Sequence, residues 1–77
     1  MRLIGLDPGL RHTGWGVIDV SGNRLRFVAA GAVSTDPAQD LPRRLAALAS
    51  GLRAVIALHR PDEAAVEETF VNKNPDS

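Results

Sequence analysis

Arg2-Leu3-Ile4-Gly5-Leu6-Asp7-Pro8-Gly9 is an apolar run that ends on an acid and then on a Pro-Gly pair. It reads as a buried strand carrying Asp7 at its C-terminal end. The turn that follows uses Pro8 to fix one dihedral and Gly9 and Gly14 to permit unusual ones. Trp15-Gly16-Val17-Ile18-Asp19-Val20 resumes as a second strand, with Trp15 expected in the core. Ser21-Gly22-Asn23 is a tight turn, so Arg24–Ser34, with Phe27 as a further core candidate, should pair back antiparallel. The period then changes. Leu41, Leu45, Leu48, Leu52 and Ile56 recur at steps of three or four and share one helical face, while Arg43, Arg44, Ser50 and Arg53 form the polar face. Asp40 suits the N-cap, Pro42 is tolerated in the first turn, and Pro61 stops the helix after His59-Arg60. Glu63-Ala64-Ala65-Val66-Glu67 then reads as a fourth strand, parallel to a neighbour because it follows a crossover helix. The order βββαβ predicts an α/β fold with a mixed sheet and one sheet face largely bare.

Composition narrows the classes. The 77 residues are 44% hydrophobic and 23% charged, values of a globular chain rather than a disordered one. They make one small domain at most, burying only about 60–65% of the surface of the unfolded chain. With no cysteine, thiol catalysis, disulfide staples and a cysteine zinc knuckle are excluded. Apolar runs such as Val55–Leu58 are far short of the roughly 20 residues of a membrane span, and the N-terminus lacks a signal-peptide pattern. No membrane partner and a cytoplasmic location are expected. Nine Lys+Arg balance nine Asp+Glu, so bulk charge gives no support to nucleic-acid binding, although eight of the nine cations are Arg, which suits phosphate.

Asp7 and Glu67 occupy equivalent places, each ending a strand. If the two strands are adjacent and parallel, both carboxylates emerge at the same sheet edge, where open α/β sheets place their ligands. Two such acids without a Cys or His cluster suit a hard cation such as Mg²⁺ or Mn²⁺, and a pair of ions there could serve phosphodiester hydrolysis. The simpler reading is a turn cap at Asp7 and a solvated strand end at Glu67. Side chains alternate along a strand, so only one of Glu67 and Glu68 can join Asp7, and periodicity does not choose between them. The Gly- and Thr-containing stretch Asp7–Gly16 also fits a phosphate-cradling loop or a plain hairpin. Phe70 lies outside the periodic core and could stack on an unpaired base. His59, at the helix C-terminus, reads as a dipole partner.

Taken together, Leu3–Gly9, Thr13–Ile18, Asp40–Leu45, Val66-Glu67-Glu68-Thr69-Phe70 and Lys73–Ser77 resemble, in order and along the whole chain, the RuvC family of Holliday-junction resolvases. The resemblance implies a ribonuclease-H-like fold and a homodimeric, Mg²⁺-dependent endonuclease that cuts four-way DNA junctions and works with a branch-migration motor. It implies that Asp7 and Glu67 are catalytic metal ligands, that Glu68 is not, and that Mn²⁺ can substitute. Phe70, Lys73, Thr13 and Gly14 are expected as DNA contacts, with Phe70 stacking on bases. The family's domain is about twice as long, and its remaining metal carboxylates and main dimer helix lie beyond Ser77. Residues 1–77 are therefore expected to be the N-terminal part of a single nuclease domain, inactive alone. Two other readings share these residues: a non-catalytic binding module of the same fold, and a fragment of an actin-like or sugar-kinase-type ATPase. Pro8 and Leu10 depart from the phosphate loop of the latter.

Overall fold

A computed structural model describes residues 1–9 and 11–67. The chain forms β1 (Arg2–Asp7), β2 (His12–Ser21), β3 (Arg24–Ser34), α1 (Leu41–His59) and β4 (Glu63–Val66). The four strands make one sheet in the order β3-β2-β1-β4. β1 pairs antiparallel with β2 and parallel with β4, as the crossover through α1 requires. The βββαβ order and mixed sheet agree with the sequence reading. β2 starts three residues earlier than expected, because His12, Thr13 and Gly14 already pair with Ser34, Val33 and Ala32 of β3.

Strand alternation sorts the side chains. Ile4 and Val17 face each other across β1 and β2 on the side that α1 covers, and they are the fully buried pair at 1% and 0% exposure. Trp15, two residues along β2, lies on the same side and meets the His59 ring of α1 at a centroid distance of 5.4 Å. The opposite sheet face carries no helix among the described residues. Phe27, expected in the core, is 69% exposed there. It pairs with Ile18 just past a bulge between Val17 and Ile18 that takes up Val28, so it stands on the bare side.

α1 is capped as its sequence predicts. The Asp40 carboxylate accepts the Arg43 N–H at 3.0 Å. Arg60 closes the other end in a left-handed conformation (φ 53°), its N–H donating to the Ile56 carbonyl at 2.7 Å, and Pro61 follows. The seat of the helix differs from the periodic stripe. Leu48 and Leu52 are half-buried, but Leu41, Leu45 (55% exposed) and Ile56 are exposed. The inward face instead runs through Arg44, Leu48, Gly51, Val55 and His59. Gly51 permits this rotation, since it lets the helix backbone close on Val33 of β3, and the Arg44 side chain is drawn in to donate to Thr35 Oγ1 at 3.3 Å.

Candidate metal centre

Asp7 is the last residue of β1, and Glu67 follows directly on β4. The parallel ladder runs Leu3↔Glu63, Ile4↔Ala64, Gly5↔Ala65 and Leu6↔Val66. The Glu67 N–H donates to the Leu6 carbonyl at 2.9 Å, which carries the pairing one step further and sets Glu67 beside Asp7. By alternation both acids stand on the bare face, together with Gly5 and Ala65. Asp7 also pairs with Gly14, and Gly16 continues the same row on β2. These six residues border an open cleft of about 400 Å³.

The floor of this cleft is nearly all backbone. A Cβ at Gly5 or Gly16 would meet no atom within 4 Å, and one at Gly14 would meet only the Asp7 Cβ, at 3.9 Å. Within the described chain these glycines are not demanded by packing, and what they leave is room above a pair of exposed acids. Two like charges at neighbouring strand ends repel each other, and a cation between them removes that penalty. Their donor set of carboxylate oxygens, free of sulfur and imidazole, fits a hard divalent ion. Among the described residues no group of three or more His, Cys, Asp or Glu could hold a metal ion. Asp7 and Glu67 are the described residues that could hold such an ion, as two ligands of a larger shell.

The other expected site residues fall differently. Gly14 lines the cleft. Thr13 does not: its side chain is 2% exposed on the helix side, and its Oγ1 has no hydrogen-bond partner among the described residues. This placement leaves Thr13 no side-chain surface for DNA. Phe70, Lys73 and Glu68 lie outside the described residues. His12 shares a 2.8 Å hydrogen bond with Ser34 Oγ, while His59 packs on Trp15 in the last helical turn. No described helix is long and apolar enough to cross a membrane.

A polar junction that sequence reasoning missed occupies the opposite end of the sheet. The Arg2 guanidinium holds both Asp19 oxygens, at 2.8 and 3.0 Å, and donates to the His59 carbonyl at 3.0 Å. Arg26 adds a 3.1 Å contact to Asp19. These hydrogen bonds, from Arg2 first and then Arg26, hold the Asp19 carboxyl well below the usual carboxylate range.

A family model described as crossover junction endodeoxyribonuclease RuvC matches residues 3–77. The chain belongs to the RuvC family. It is 61% identical over 74 residues to the RuvC crossover junction endodeoxyribonuclease of Agrobacterium fabrum, covering 96% of this chain and 44% of that protein. It is also 61% identical over all 77 residues to the RuvC of Paramagnetospirillum magneticum, covering 46% of it. Among solved structures, Thermus thermophilus RuvC in complex with a Holliday junction substrate superposes with a TM-score of 0.82 at 30% identity, over 99% of this chain and 49% of that one. The chain thus spans less than half the length of the RuvC proteins it matches. The fold is the ribonuclease-H-like fold of RuvC, and this placement replaces the reading as an ATPase fragment.

Proposed function

We propose that this RuvC chain contributes two metal ligands, Asp7 and Glu67, to an endonuclease that resolves four-way DNA junctions in recombination and repair. The observation that carries the reading is the convergence of both carboxylates on one edge of a parallel strand pair, above a cleft with almost no side chains in its floor. Mg²⁺ is the cation proposed, with Mn²⁺ as a substitute and two ions in the complete enzyme. Bound there, such ions supply Lewis-acid stabilisation of the phosphate and a water activated for attack. Asp7 and Glu67 hold charge and position, and the Gly5, Gly14 and Gly16 row lets a phosphodiester approach the acids closely. Residues 1–77 are proposed as the N-terminal part of one nuclease domain. Phe70 and Lys73 are proposed DNA contacts, with Gly14 contacting through its backbone. A homodimer acting with a branch-migration motor is the proposed assembly.

The test compares Asp7→Asn, Glu67→Gln and Glu68→Gln in the intact protein on a labelled four-way junction. The first two should abolish Mg²⁺-dependent cleavage while junction binding survives, because an amide cannot balance the cation. Glu68→Gln should cut almost normally. Loss of cleavage in Glu68→Gln with activity retained in Glu67→Gln would overturn the assignment.

A further inference from the structure

β4 is only four residues long, and all four are exposed in the described chain, so among the described residues little side-chain burial fixes its register against β1. Register nevertheless decides the site, since a shift of one residue turns every side chain of β4 to the other face. The strand is instead held at its start. The Arg2 N–H donates to Asp62 Oδ2 at 2.7 Å, and the Asp62 N–H donates back to the Arg2 carbonyl at 2.7 Å. This reciprocal pair lies immediately before the first rung of the ladder, Leu3↔Glu63. Arg2 precedes Asp7 by five residues, and Asp62 precedes Glu67 by the same five. Arg2 is itself immobilised on two sides, by Asp19 of β2 and by the last turn of α1 through the His59 carbonyl.

We infer that the Arg2–Asp62 junction is a positioning device for the metal ligands, fixing β4 against β1 so that Glu67, rather than its neighbour in sequence, arrives beside Asp7. The inference deepens the metal-centre reading and rests on it. Asp62 touches neither cation nor DNA in this scheme. It acts through Glu67, at the far end of the strand.

The experiment uses the intact protein without DNA, as wild type, Asp62→Ala and Asp62→Asn. Amide hydrogen exchange is followed by NMR at Glu67, whose N–H is bonded to Leu6. The Thr35 amide, bonded to the Arg11 carbonyl at 2.9 Å, serves as a control outside the parallel pair. Mn²⁺ affinity is read in parallel from the paramagnetic resonance of the unbound ion. Asp62→Ala should speed exchange at Glu67 roughly tenfold and weaken Mn²⁺ binding several-fold, with Thr35 unchanged. Asp62→Asn keeps an oxygen acceptor for the Arg2 N–H and should stay near wild type in both. Wild-type exchange at Glu67 in Asp62→Ala would overturn the inference. So would equal acceleration at Thr35, which signals general destabilisation, or an Asn variant as impaired as Ala. Failure of the wild type to bind Mn²⁺ would instead overturn the metal centre, and the amide measurements would still decide the positioning role.

Discussion

Gly51→Ala tests how closely α1 is seated on the sheet, because two effects of known sign compete there. In an exposed helix interior the change should stabilise by about 0.8–1.0 kcal/mol from helix propensity alone. Here the new Cβ would lie 2.5 Å from Val33 Cγ1 and 3.2 Å from Cγ2. The first distance is about 1 Å short of an ordinary carbon–carbon contact of roughly 3.5 Å. Rotating Val33 gives little relief, since a β-branched side chain is stiff at χ1 and the rotamer that vacates the 2.5 Å position keeps a methyl at the tight 3.2 Å one. The helix must therefore lift off β3, at an overpacking cost near the upper part of the usual range of about 1–3 kcal/mol. The clash wins, and the net effect should be destabilisation by about 1–2 kcal/mol. In urea this lowers the unfolding midpoint by about 1 M at ordinary slopes. Val33→Ala alone should also destabilise, by about 1 kcal/mol for the half-buried methyls lost. Combined with it, Gly51→Ala should recover its helix gain, leaving a coupling of about 2–3 kcal/mol between the two sites. A midpoint that rises in Gly51→Ala, or two effects that simply add, would refute the close seating.

Thr13→Val should raise stability by about 1 kcal/mol, because it removes a buried hydroxyl without a partner among the described residues. If junction affinity fell in that variant with stability intact, the hydroxyl would be a DNA contact after all. Phe70→Ala should slow junction cleavage by the intact protein while thermal stability stays close to wild type; a loss of about 3–5 kcal/mol would mark Phe70 as a core residue instead. Asp19→Asn should destabilise at neutral pH. The Asp19 carboxyl is held low in the folded state, so its contribution is present above the ordinary carboxylate value of about 3.9 and is lost as pH falls through the folded value. The gap between wild type and Asp19→Asn in denaturation midpoint should therefore close only at acid pH, and a gap constant with pH would contradict the ion pair.

Local signals carried most of the fold. The acid and Pro-Gly after Leu6, the Gly22 turn, the Asp40 cap and Pro61 each act within a few residues, and every element stands near where those signals place it, with β2 alone starting three residues early. Sequence order also implied that β4 runs parallel to a neighbour; that this neighbour is β1, which brings Asp7 and Glu67 to one edge, is visible only in the fold. Long-range packing was less legible. The apolar stripe of α1 is wider than the face β3 can cover, and nothing in its spacing reveals that Gly51 sets the rotation. Phe27 reads as core by its type, but a bulge between Val17 and Ile18 puts it on the bare face. Periodicity does not choose between Glu67 and Glu68; what sets Glu67 beside Asp7 is the β1–β4 register, a pairing between residues sixty apart.

The parallel pairing of β1 with β4 has a consequence for how the molecule assembles. β2 and β3 are joined by a two-residue turn with Gly22 at φ +58°, so their rungs close over short loops. Each rung between β1 and β4 joins residues sixty apart in sequence. Contacts of that separation bear the largest loop-closure entropy and come late in folding. Asp7 and Glu67 therefore meet only after the hairpin and the helix are in place. Until then a nascent or partly folded chain holds single, separated carboxylates, with no paired site at which a divalent ion could be captured.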